Sequence, residues 1–269
     1  MQQDNKRDNR RAPIKRDRDR YPDRAAEGIV YGRNEVRELL KSGRAIDKIF
    51  VRRGDKEGSI NVIIGEASAR RIPIIEVEKP KLDSLCGGGV HQGVAAQAAE
   101  KEYCSVDDIL AIAEERGEMP FIAILDGVED PYNLGAVIRC AECAGVHGVI
   151  IPKRRASGLT ATAAKASAGA LELMAVAKVV NLAAEIDKLK ELGVWLYAAE
   201  AGGESLYKTD LDRPCAIVFG SEGEGVSRLV KEKCDYVVSI PMYGKVNSLN
   251  VSTAAAVVLN EVARRRNEK

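Results

Sequence analysis

The chain has only two histidines, His91 and His147, among its 269 residues, and that scarcity excludes several chemistries together. A structural zinc site takes four ligands at close spacing. Six cysteines are present, but the one C-x-x-C pair, Cys140 and Cys143, lies in a stretch of helical periodicity without a second Cys/His pair. The cysteines also lack the framework of a small disulfide-stapled domain and read as thiols of a reducing compartment. No apolar run reaches the roughly 20 residues a membrane helix needs. The N-terminus is charged, which gives no secretory signal and makes a cytoplasmic place the expectation. Charge of one sign is lacking too, since 41 Lys/Arg oppose 40 Asp/Glu for a net charge of +1.

Two nucleotide-binding signatures are absent as well. No G-x-x-x-x-G-K-[ST] loop occurs. The turn after the apolar run Phe121–Leu125 is Asp126-Gly127-Val128-Glu129, which is not the G-x-G turn of a dinucleotide fold.

What the chain does have is 45% hydrophobic residues, enough for a sizeable core. Its charge is unevenly placed: residues 1–25 carry nine Lys/Arg against five Asp and almost nothing apolar. A segment of that composition cannot offset its ordering entropy by burial. Residues 1–26 are therefore expected to be a disordered basic tail, either an arm for phosphates or a solubilising tail.

Residues 27–98 read as a compact α/β unit, with helices at Asn34–Ser42 and Ser59–Arg70 and strands at Ile46–Val51, Ile74–Val77 and Val94–Ala98. Residues 99–106 are polar and read as a linker. Over 107–269 strands and helices alternate. Strands are expected at Phe121–Leu125, Gly148–Ile151, Met174–Val180, Val194–Ala199, Ala216–Gly220 and Tyr236–Pro241. Helices are expected at Leu134–Ala144, Thr160–Ala168, Leu182–Leu192 and Ser227–Lys233, with a last one over Leu249–Arg266. Near-continuous apolar strands between helices predict a parallel sheet covered on both faces. The last helix, with its run Ala254–Leu259, is too apolar for a solvated face.

Three strand–loop–helix blocks stand out: Asp126–Gly135 with Arg139, then Gly220-Ser221-Glu222-Gly223-Glu224-Gly225, then Ile240–Ser252. Their order and spacing resemble the motifs of the SpoU (TrmH-type) RNA ribose 2′-O-methyltransferases of the SPOUT class. Gly32-Arg33-Asn34 and Gly89–Val94 resemble the small ribosomal-protein-like RNA-binding domain that precedes many of these catalytic domains. The resemblance implies a trefoil knot near the C-terminus, a homodimer buried in part on the last helix, S-adenosylmethionine as cofactor and no metal. It also implies a 23S ribosomal RNA substrate, with a guanosine ribose as the target.

By the same resemblance Gly220, Ile240 and Leu249 enclose the cofactor, and Gly220 and Gly244 suit a loop that a ligand approaches closely. The matching polar residues are Asn133, Arg139, Glu222, Ser248 and Asn250. A guanidinium stays protonated, so Arg139 is expected to bind phosphate and steady charge on the 2′-oxygen, with Glu222 orienting it or accepting the proton. Ser248 and Asn250 can also cap the last helix. Lys153, Arg154 and Arg155 form a local basic cluster that suits either a phosphate or solvent. Two rival functions stay open: a tRNA ribose methyltransferase and a non-catalytic RNA-binding assembly factor.

Overall fold

The computed structural model describes residues 25–26, 28–54, 58–99 and 101–268, so residues 1–24 of the basic tail lie outside the described residues. The first unit runs β1 (Ile29–Tyr31), α1 (Arg33–Lys41), β2 (Ile46–Arg52), α2 (Ser59–Ala69), β3 (Ile74–Val77), α3 (Lys79–Leu85) and β4 (Val94–Ala98). Its sheet has the order β1-β4-β2-β3, parallel between β2 and β3 and antiparallel elsewhere. Val36, Leu39, Ile49, Ile60 and Ile63 pack on one face, and Phe50, Leu82 and Cys86 on the other. Two of these elements were hidden in the sequence. β1 has only three residues, and α3 contains Pro80, which a helix tolerates in its first turn.

The second unit begins with α4 (Val106–Arg116), whose Ser105 and Asp108 form a capping box. It continues through β5 (Phe121–Asp126), α5 (Pro131–Cys143), β6 (Gly148–Pro152), α6 (Ala161–Ala166), α7 (Ala170–Leu173) and β7 (Ala175–Val179). Then follow α8 (Leu182–Glu191), β8 (Trp195–Ser205), β9 (Cys215–Gly220), α9 (Arg228–Lys233), β10 (Tyr236–Ser239) and α10 (Val251–Asn267). All six strands are parallel, in the order β10-β8-β9-β5-β6-β7. Side chains alternate across the sheet: Phe121, Ala123 and Leu125 enter one core, Ile122 and Ile124 the other. The α/β sheet covered on both faces is as expected.

Three local differences have physical causes. The helix expected over Thr160–Ala168 stops at Ala166, and Ala168 (φ 50) and Gly169 (φ 96) turn the chain into α7. β8 runs past Ala199 to Ser205, where Gly203 lies so close to the Val237 backbone that a Cβ would collide with it. The linker is docked at Cys104, whose N–H donates to the Val176 carbonyl at 3.0 Å and which bridges Ala177 on β7.

The last helix is buried along one side, as expected: Val251, Ala255, Val258, Leu259 and Val262 belong to the core beside α5 and β9. Ala254, Ala256 and Val257 of the same apolar run are only half-buried within the chain. Among the described residues no helix is long and apolar enough to cross a membrane.

Candidate active site

The sheet order grows outward from β5 in both directions, through β6 to one edge and through β9 to the other. In an open parallel sheet such a reversal leaves a crevice beyond the carboxyl ends of the strands. A cavity of about 780 Å³ lies to the β9 side of that reversal, past the carboxyl ends of β8, β9 and β10, within the usual size of a small-molecule site. Gly220, Ile240 and Leu249 line it together, as do Glu222, Gly244 and Ser248.

The loop after β9 is braced by its own residues. Ser221 and Gly225 exchange backbone hydrogen bonds at 3.1 and 3.0 Å, which folds the segment back on itself. A Cβ on Gly220 would run into the backbone of Gly225 and Val226. This glycine is therefore required by the loop's own closure. Gly244, by contrast, borders open space. Asp126 Oδ2 accepts the Ser227 N–H at 2.8 Å and ties β5 to the start of α9.

Asn133, Glu222 and Asn250 come from three separate segments and meet beside the cavity. Asp130 caps α5 by accepting the Tyr132 and Asn133 N–H groups, and so places Asn133 in the first turn. Asn133 Nδ2 donates to Glu222 Oε1 at 3.0 Å, and Asn250 Nδ2 donates to Asn133 Oδ1 at 3.1 Å and also to Glu222 Oε1. Asn250 is at the same time the N-cap of α10, accepting the Ser252 N–H at 2.9 Å. Ser248 is exposed on the cavity wall and is not the cap.

Arg139 is not part of this ring. Six residues after Asn133, it sits about 9 Å further along α5 and on another side of it. Glu222 is held by two amides and does not orient the Arg139 guanidinium within the chain. Arg139 instead lines a separate groove with Arg37 and Asn34 of α1.

The sequence reading missed Glu200, in the part of β8 that continues beyond Ala199. Its Oε1 accepts from Lys231 Nζ at 2.8 Å, while Oε2 is buried without a hydrogen-bond partner. Glu200 lines the cavity with Glu222 and Glu224, against Lys245 as the lining's one lysine. The lining therefore favours a ligand that carries positive charge. The strand-end rule that flagged Gly220 and Ile240 would have flagged Glu200 as well.

Both histidines are structural. His91 Nδ1 accepts the Gly93 N–H and His147 Nδ1 accepts the Phe121 N–H, each at 3.0 Å. Neither lines the cavity.

Sequence comparison accounts for the arrangement. The profile of the SpoU rRNA methylase family matches residues 120–260, and that of RNA 2′-O ribose methyltransferase substrate binding matches 29–104. The chain belongs to the SpoU methylase family. It is thus an RNA methyltransferase of the family that includes TrmH. YacO of Bacillus subtilis (strain 168), named for the TrmH family of tRNA/rRNA methyltransferases, is 47% identical over 239 residues, spanning 88% of this chain and 96% of that one. Among solved structures, the SpoU methyltransferase AviRb of Streptomyces viridochromogenes, in complex with AdoMet, superposes with a TM-score of 0.75. It is 23% identical and is matched over 90% of this chain and 91% of that one. The AdoMet-bound rRNA methyltransferase of Sinorhizobium meliloti gives 0.73 at 22% identity, over 89% and 87%. At these identities the two structures speak for a shared SpoU fold.

Proposed function

We propose that this SpoU-family enzyme uses S-adenosylmethionine to methylate a ribose 2′-hydroxyl, that of a guanosine, in 23S ribosomal RNA. The observation that carries this reading is the acidic cavity abutting the Asn133–Glu222–Asn250 ring. The cavity fits a sulfonium ligand: three carboxylates line it, and the orphaned Glu200 Oε2 is a buried acceptor that a ligand hydroxyl or amine would satisfy. Backbone around Gly220, Ile240 and Leu249 would enclose the rest. The chemistry S-adenosylmethionine supplies when bound is an electrophilic methyl group on sulfur.

The chain's own residues must then deal with a neutral alcohol, a weak nucleophile until its proton is withdrawn. Glu222 is placed to accept that proton. Its Oε1 is occupied by Asn133 and Asn250, and Oε2 has no hydrogen-bond partner among the described residues. The two amides hold the carboxylate still and so remove reorganisation from the reaction. Arg139, always protonated, serves as a phosphate anchor rather than as a base.

We assign residues 27–98 to RNA binding, 99–106 to the connection and 107–269 to catalysis. The passage of residues 241–250 beside the Gly220–Gly225 loop is assigned to the trefoil knot. A homodimer is supported by apolar side chains left exposed around the site, Tyr132, Met242, Val246 and Leu249. A ribosomal substrate is supported by the S. meliloti rRNA enzyme, which matches this chain across both units. A cytoplasmic place follows from that substrate.

Calorimetry tests the cofactor assignment. The purified protein should bind S-adenosylmethionine with EDTA present, and an absence of binding would sink the reading. Mapping ribose methylation in rRNA and tRNA from cells lacking the protein tests the substrate, and a mark lost from tRNA alone would replace 23S RNA as the target.

A further inference from the structure

The two units meet along α1 and the α6–α7 turn, and buried ion pairs pin the junction. Arg44 Nη1 donates to both Glu172 oxygens at 2.9 Å, with the two side chains 16% and 3% exposed. Lys165 Nζ pairs with Glu35 Oε1 at 3.2 Å. At the turn, Ala168 takes a left-handed φ of 50°, which is uncommon for a residue with a side chain. A Cβ on the adjacent Gly169 would come within 2.7 Å of the Glu38 side chain, so the two surfaces are in close contact.

Between these contacts lies a groove of about 260 Å³ that contains Arg37 from α1 and Arg139 from α5. Arg37 is half-buried, and its Nε is shut off from solvent with no hydrogen-bond partner. Among the described residues neither guanidinium has an ion pair. Of the two carboxylates in the lining, Glu38 is taken by Lys41 at 2.8 Å. Glu142 alone remains against two arginines. Two guanidiniums that line one groove without an ion pair would be satisfied by an anionic oxygen placed between them.

We propose that Arg37 and Arg139 form a two-sided clamp for one phosphodiester of the substrate RNA, with Arg37 the positioning residue contributed by the substrate-binding unit. The clamp couples docking on the first unit to placement of the ribose on the second. The volume suits a phosphate and a few waters, and paired guanidiniums are the usual recognition chemistry for phosphate oxygens. This inference rests on the RNA methyltransferase reading above.

The test uses the full-length protein and an unmodified 23S RNA transcript, with binding measured across a series of KCl concentrations. Arg37→Gln keeps most of the side-chain stem and removes the charge. It should weaken RNA binding about tenfold at low salt and make the slope of log K against log salt shallower by about 1. Arg37→Lys, which retains a point charge, should keep the wild-type slope with a smaller loss of affinity. Cofactor affinity and melting temperature should not move in either variant. An Arg37→Gln protein with wild-type affinity and salt slope would overturn the clamp. Equal slopes for the Gln and Lys variants would also overturn it, because a structural role would not distinguish charge. If the wild-type protein itself bound neither cofactor nor RNA, the failure would lie with the proposed function instead.

Discussion

Glu222 Oε1 accepts a hydrogen bond from Asn133 Nδ2 at 3.0 Å, across 89 residues of chain. The contact joins the loop after β9 to the first turn of α5, and Asn250 closes the ring from the start of α10. Three segments are thus joined at one carboxylate. Glu222→Gln should lower methyl transfer by about 10²–10⁴-fold, the usual contribution of a positioned general base, with cofactor affinity nearly unchanged. Asn133→Asp should be nearly as damaging, since it sets a second carboxylate against Glu222. Single-turnover kinetics with cofactor titrations would check both, and unimpaired transfer in the Gln variant would remove Glu222 from the chemistry.

Glu200 offers a separate test of the cofactor wall. Replacing it with Gln keeps the shape but removes a buried charged acceptor. Cofactor affinity should fall about tenfold or more, in keeping with hydrogen bonds to charged groups. Calorimetry would measure this, and unchanged affinity would show that the cofactor makes no contact with Oε2.

The two loop glycines should respond oppositely. Gly220→Ala places a methyl in the backbone of Gly225 and Val226, so it should disrupt the loop and abolish cofactor binding. Gly244→Ala meets open space and should bind cofactor much as the wild type does. Equal tolerance at both positions would contradict the closure described for the first loop.

Stability should depend on His147 in a definite direction. Its ring is neutral in the fold, with Nδ1 accepting from Phe121 and Nε2 donating to Glu118 Oε2 at 2.9 Å. Burial pushes its pKa below the ordinary value of 6.5, and the Glu118 hydrogen bond only partly opposes that. A proton on Nδ1 would break the backbone bond. The stability this group contributes is therefore present above pH 6.5 and is lost as pH falls below it. Denaturant unfolding at falling pH should show that loss, and His147→Gln should flatten it.

Val258→Asp should unfold the protein rather than split a dimer, because Val258 is buried in the chain's own core and an unpaired charge there is strongly unfavourable. Circular dichroism alongside light scattering separates the two outcomes. A folded Val258→Asp monomer would contradict the packing of α10.

The parallel sheet was legible because each of its strands is a compact apolar run bounded by turns, as at Phe121–Leu125 and Ala216–Gly220. The continuation of β8 was not legible. Gly202, Gly203, Glu204 and Ser205 read as loop, and they form strand only because β10 supplies a partner after a register shift at Val237/Val238. At the site, the motifs led to Asn133, Glu222 and Asn250, whose contacts join distant segments. Spacing also put Arg139 on another side of α5 from Asn133. The neighbours on that side, Arg37 above all, come from a unit 100 residues away, and no local pattern announces them.

Incubating the purified protein with methyl-labelled S-adenosylmethionine and unmodified 23S RNA, then locating the label by nuclease digestion and mass spectrometry, reads the reaction itself. Stoichiometric label is expected on the 2′-oxygen of one guanosine ribose, absent in the Glu222→Gln protein. Label on a base, or no transfer to RNA by a protein that binds the cofactor, would refute ribose methylation of 23S RNA by this chain.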